Sequence, residues 1–229
     1  MQKELEKFEQ KIKIKFKDTK LLQTVFVHRS YLNENKKYSL PQNERLEFLG
    51  DAVLEFIVTD YLYKNFDNPE GEMTNWRASL VKGEMLSIVA NKFEIGDLML
   101  LSHGEAKTGG RQRKLLLANA FEALIGAIYL DQGIEKARRF INKNLISNLE
   151  EIIEKGLYHD AKSVLQERSQ DELGITPTYE VLNESGPDHA KKFTIGVHIG
   201  DKLIGKGNGP SKQEAQQQAA KKGLKNWKI

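Results

Sequence analysis

The stretch Leu115-Leu-Leu-Ala-Asn-Ala-Phe-Glu-Ala-Leu-Ile-Gly-Ala-Ile-Tyr-Leu130 restricts the fold more than any other part of the chain. Its polar groups are Asn119, Glu122 and the hydroxyl of Tyr129, a texture that suits a helix covered on nearly every side. An ionised carboxylate buried without a partner is costly, so Glu122 must be protonated, paired or bound to a cation. Asn119, three residues earlier, shares its face.

A second run carries the same anomaly. In Asn43-Glu-Arg-Leu-Glu-Phe-Leu-Gly-Asp-Ala-Val-Leu-Glu-Phe-Ile57, Glu47 and Asp51 stand four apart on one helical face, and Glu44 and Glu55 extend that row about a turn each way. Like charges at this spacing repel. Packing this helix against the first, with Gly50 and Gly126 permitting close approach, makes four oxygen-bearing side chains converge: Glu47, Asp51, Asn119 and Glu122. Hard oxygen donors without softer ones suit Mg²⁺ or Mn²⁺ rather than zinc or copper. The competing reading is a set of core carboxylates neutralised by arginine, with Arg29, Arg45 and Arg77 available.

Composition narrows the chemistry further. The chain has no cysteine, which excludes disulfides, thiolate zinc sites and cysteine nucleophiles and fits a reducing compartment. Its five histidines are scattered without triad or metal-ligand spacing. The N-terminal MQKELEKFEQKIK is too charged for a secretory signal, and no apolar run approaches the roughly 20 residues needed to cross a bilayer. A cytoplasmic protein with no membrane partner and no small-molecule cofactor is expected. The net charge of +3, from 35 Lys and Arg against 32 Asp and Glu, does not by itself mark a nucleic-acid binder.

Apolar periodicity predicts helices near 18–28, 43–66, 71–91, 115–130 and 134–153, with no strand before residue 153. The texture then changes. A helix over Ala161–Glu172 precedes strands at Tyr179–Glu184, Lys192–Ile199 and near Lys202–Lys206, the last two joined by a Gly200-Asp201 hairpin. Gly205, Gly207, Gly209 and Pro210 read as a loop, and Ser211 with Glu214 forms a capping box for a last helix to about Trp227. The expected architecture is an all-α domain over 1–153, a linker over 154–160 and an α-β-β-β-α domain over 161–229.

The run NERLEFLGDAVLEF closely resembles the signature of the ribonuclease III family. VHRSY at 27–31, EGEMTNWRASLVKGE at 70–84, GEAKTGG at 104–110 and LANAFEALIGAIYLDQG at 117–133 follow in the family's order, and the tail resembles a double-stranded RNA-binding domain. The resemblance implies that Glu47, Asp51 and Glu122 are metal ligands, with Asp51 and Glu122 catalytic, and that Glu44 and Glu70 are accessory acids. It also implies a homodimer acting on double-stranded RNA in rRNA and mRNA processing, leaving short 3′ overhangs with 5′-phosphate and 3′-hydroxyl ends. Where the family usually has aspartate, this chain has Asn119, whose amide oxygen ligates a cation without adding negative charge.

These residues suit metal-assisted hydrolysis. A divalent ion lowers the pKa of bound water and ligates phosphate oxygens, the carboxylates positioning it rather than forming covalent bonds. In the tail, Gln166 suits 2′-hydroxyls, His189 stands at a loop tip able to enter a minor groove, and Lys212 sits beside free helix N–H groups. Lys191 and its neighbour Lys192, with Lys221 and Lys222, add cations where Gln213 and Gln216 replace residues that the family commonly has charged. Lys107, Arg111, Arg113 and Lys114 are expected in a basic, flexible loop, which reads equally as a phosphate contact or as a plain solvated loop. Two rivals stay open: a dsRNA-binding protein impaired in catalysis through Asn119, and a small-substrate phosphohydrolase, against which the RNA-binding tail argues.

Overall fold

The computed structural model describes residues 2–154, 156, 161–187 and 191–227, and the chain falls into two units, Met1–Tyr158 and His159–Ile229. The first holds α1 (Gln2–Ile12), α2 (Thr19–Val25), α3 (Arg29–Glu34), α4 (Glu44–Asn65), α5 (Glu70–Val81), α6 (Gly83–Lys92), α7 (Ile95–Leu98), α8 (His103–Lys107), α9 (Lys114–Gln132), α10 (Ile134–Asn144) and α11 (Leu149–Glu154). The second holds α12 (Ala161–Leu173), β1 (Thr178–Ser185), β2 (Lys192–Ile199), β3 (Lys202–Gly209) and α13 (Lys212–Lys225).

In the first unit α9 is the central element. Leu117, Ala120, Phe121, Ala123, Leu124, Ile125, Ala127 and Ile128 are fully buried, and α4 and α6 pack along it. By length and hydropathy α9 passes for a bilayer-crossing helix, contrary to the expectation from sequence, but its apolar surface is mostly covered by protein. Burying a leucine or phenylalanine contributes about 1.5–3 kcal/mol, so this one helix supplies much of the unit's cohesion.

Two expected helices are broken. The 71–91 segment turns at Lys82, whose ψ of 141° is extended and which ends α5 and starts α6 just before Gly83. The 134–153 segment breaks after Asn144: Asn144 donates back to the Phe140 carbonyl, and Asn148 to that of Leu145 at 2.7 Å. Side-chain amides that compete for backbone groups favour such breaks, and the resulting 3₁₀ turn buries Leu145 and Ile146.

In the second unit the sheet runs β1-β2-β3, antiparallel throughout, with Gly200 at the hairpin in the left-handed region at φ +55°. Leu165, Val197, Ala219 and Ala220 form its small core. β3 continues through Gly205, Gly207 and Gly209, which composition alone assigns to a loop. Helix α13 lies directly on these glycines: a Cβ at Gly205 would meet the Ala219 carbonyl oxygen at 2.4 Å, and one at Gly207 that of Ala215 at 2.1 Å. The glycines are therefore close-packing sites within a strand, not breakers.

Candidate active site

The acidic face of α4 is fixed by a residue that sequence reasoning misses. Asn43 is buried, and its Nδ2 donates to the Val25 carbonyl at 2.9 Å while its backbone N–H donates to that of Val27 at 2.9 Å. Its own carbonyl accepts from the N–H groups of Leu46 and Glu47. The first turn of α4 is thus tied to the end of α2. The available signal was an amide directly ahead of the acidic run.

From that anchor α4 crosses α9 with almost no gap. A Cβ on Gly50 would lie 1.8 Å from the Glu122 carbonyl oxygen, and one on Gly126 2.3 Å from that of Leu46. This close crossing sets Glu47 and Asp51 against Asn119 and Glu122. Burial, and then the charges of Asp51, Glu47 and Glu55, push the Glu122 carboxyl up to about 7. Glu47 is raised by burial first and by Glu44 and Asp51, with the facing Asn119 amide offsetting part of the shift.

The arginines that would neutralise a purely structural cluster are engaged elsewhere. Arg77 pairs with Glu55 at 3.3 Å and donates to Thr59 at 3.0 Å. Arg29 is 3.9 Å from Glu44, and Arg45 is exposed. Among the described residues no Lys, Arg or His makes an ion pair with Glu47, Asp51 or Glu122. Nor, among those residues, are three acidic or histidine side chains drawn into a tight metal cage. The donor set itself, three carboxylates and an amide oxygen, fits a hard divalent cation.

The accessory acids occupy different places. Glu44 opens α4, accepts from Gln42 at 2.8 Å and raises Glu47. Glu70 opens α5 and lines a groove with Thr59, Tyr63 and Arg77. Thr59 and Tyr63 lie beyond Asp51 along α4 by two turns or more, so within one chain Glu70 stands apart from the other four. His28 caps α3, its Nδ1 accepting from the Ser30 N–H at 3.3 Å, and burial holds its pKa below the usual range.

The basic segment before α9 is not the flexible loop expected. Arg111 stands in a 3₁₀ turn, where its Nη1 donates to the carbonyls of Gly96, Asp97 and Met99 at 2.9–3.0 Å. Three carbonyls at the end of α7 hold the guanidinium, so Arg111 is a staple rather than a phosphate contact. Arg113 pairs with Glu105, and Lys114 with Glu84 at 2.8 Å. Lys107 remains exposed at the end of α8.

In the second unit Gln166 is exposed on α12. Lys212 is exposed at the first turn of α13, where the Ser211 hydroxyl accepts from the Glu214 N–H at 3.2 Å, and its Nζ lies 5.7 Å from the Phe193 ring centroid. Lys191 pairs with Glu184 at 2.8 Å. Gln216 accepts from Lys162 at 2.7 Å, an interaction that a cation at 216 would turn into repulsion. His189 lies outside the described residues.

A family model described as ribonuclease-III-like matches residues 18–149, and one described as a double-stranded RNA binding motif matches residues 161–226. A protein named ribonuclease 3 from Desulforamulus reducens is 48% identical over 208 residues, covering 90% of this chain and 85% of that one. One from Nitratiruptor is 46% identical over 224 residues, covering 97% and 96%. The solved nuclease domain of ribonuclease III from Campylobacter jejuni, described as having a region involved in dimer formation, aligns with a TM-score of 0.56 at 41% identity. It covers 61% of this chain and 97% of that one.

Proposed function

This chain belongs to the ribonuclease III family, and from that premise we propose that Glu47, Asp51, Asn119 and Glu122 form the site at which it cuts double-stranded RNA. The chain is a double-stranded-RNA endoribonuclease of rRNA and mRNA processing, from a family whose hydrolysis is divalent-metal dependent and leaves 5′-phosphate and 3′-hydroxyl ends. The observation that carries the site is Glu122: its carboxyl is pushed up to about 7 by burial and by other carboxylates, and no described cation pairs with it. A group in that state gives up its proton readily when a cation arrives.

We take the ion to be Mg²⁺, with Mn²⁺ as a substitute, because every donor is a hard oxygen. Once bound, it supplies an acidified water and a sink for charge on the phosphate oxygens. Glu47 and Asp51 hold it from α4, Asn119 and Glu122 from α9, and the close approach of Gly50 and Gly126 fixes the spacing between the two pairs. Glu44 reinforces the negative potential at Glu47. Asn119 contributes an oxygen without charge, so the site holds metal less tightly than an aspartate would allow.

The second unit grips the duplex through Gln166, Lys191, Lys212 and, outside the described residues, His189, while Lys107 adds a cation from the nuclease unit. We further propose a homodimer formed through the exposed edge of α4. Phe48 is 81% exposed, beside an apolar hollow lined by Leu21, Pro41, Leu46, Leu49 and Leu130. A two-fold axis there places each Phe48 in its partner's hollow. The absence of cysteine suits action in the cytoplasm.

The test is cleavage of a long duplex RNA in Mg²⁺. The wild-type chain is expected to cut it, and Glu122→Gln to lose cleavage while keeping duplex affinity. Full activity in Glu122→Gln would overturn the assignment.

A further inference from the structure

On the nuclease unit, α1 and α10 enclose a hollow of about 260 Å³ to which Lys13, Lys136, Arg139 and Lys143 contribute, over a floor that includes Ile14 and Phe140. The Phe140 ring lies 5.8 Å from those of Phe93 and Phe121. The hollow therefore sits on the Phe121 side of α9, about 100° round that helix from Glu122 and outside the carboxylate cluster. No acidic residue lines it, and among the described residues none of the four cations makes an ion pair. Two neighbouring cations have acidic partners of their own, Lys11 with Glu94 at 2.7 Å and Arg138 with Asp60 at 2.6 Å and Glu135 at 3.5 Å.

The competing explanation is that these cations merely offset the negative ends of α1 and α10. Two helix ends amount to about one unit of negative charge against the three positive charges of Lys13, Arg139 and Lys143, which leaves about +2, and Lys136 stands in the first turn of α10, at that helix's positive end. Lys13 adds a second argument. It ends α1 with Ile14 donating to the Glu9 carbonyl at 3.1 Å, and its φ is +59°. That position is normally glycine's, because a Cβ there is sterically costly. A lysine kept at the strained residue delivers an ammonium group to the hollow that glycine would not.

We propose that this hollow binds phosphates of the RNA backbone, as a second point of attachment on the nuclease unit separate from the catalytic cleft and the double-stranded RNA-binding motif. Four unmatched cations over a partly apolar floor suit spaced, diffuse phosphodiester charge read without sequence preference.

The test uses the full chain, with EDTA to prevent cleavage, and a long duplex RNA titrated over a range of KCl concentrations. Lys136→Gln/Arg139→Gln/Lys143→Gln should weaken binding roughly tenfold or more and lower the salt slope by about 0.9 for each phosphate no longer neutralised. Lys13→Gly should raise the melting temperature, by relieving the left-handed strain, while still weakening RNA binding. Unchanged affinity and slope in both folded variants would overturn the proposal, as would a weakening confined to acidic-lipid vesicles offered in place of RNA.

Discussion

Replacing Gly50 by alanine tests the feature that assembles the site. The added Cβ would stand 1.8 Å from the Glu122 carbonyl oxygen, against 3.4–4 Å for ordinary van der Waals separation. The obstacle is backbone, so α4 and α9 must part by about 1.6 Å. Overpacking costs about 1–3 kcal/mol, with rigid obstacles at the upper end. Alanine's better helix propensity returns about 0.8–1 kcal/mol. The net is about 2 kcal/mol, or a melting temperature lower by about 4–8 °C for a protein of this size. Because the same separation draws Glu47 and Asp51 from Asn119 and Glu122, cleavage should fall about 100-fold. Thermal unfolding and duplex cleavage measure the two effects. Gly71→Ala is the control, since a Cβ there meets nothing within 4 Å, and it should leave both nearly unchanged or raise stability slightly. A Gly50→Ala protein that melts higher than wild type and cuts normally would refute the close-approach argument.

Three other outcomes follow from the geometry. The raised Glu122 carboxyl makes metal-free protein lose stability as pH climbs from about 4.5, its ordinary value, through about 7; Glu122→Gln should flatten that decline in chelator-treated melts. Asn119→Asp exchanges the amide that eases Glu47 for a fourth negative charge, so it should lower metal-free stability and reduce the Mg²⁺ concentration for half-maximal cleavage. Lys212→Ala should weaken duplex binding and cut the salt slope by about 0.9 without moving the melting temperature, as read by titration at several KCl concentrations.

Much of this site was legible in the sequence because carboxylates in apolar helices are expensive and therefore conspicuous. The four-residue spacing of Glu47 and Asp51 and the glycines Gly50 and Gly126 were sufficient to predict two helices packed closely together. What was not legible depended on partners distant in sequence. Nothing local marks Arg111 as donor to three carbonyls some twelve to fifteen residues away, so its charge alone made it look like an RNA-binding residue. Gly205, Gly207 and Gly209 are local punctuation by composition, and only the arrival of α13 reveals why a strand needs them. The break at Lys82 was hidden because apolar periodicity continues on either side of it.

Crystals grown with Mn²⁺ and measured at the manganese absorption edge give the most direct test of the central claim. One or more anomalous peaks should lie among the side-chain oxygens of Glu47, Asp51, Asn119 and Glu122 and vanish in Glu122→Gln. Bound manganese that avoids those four side chains, or that is unchanged in the Gln variant, would contradict the account.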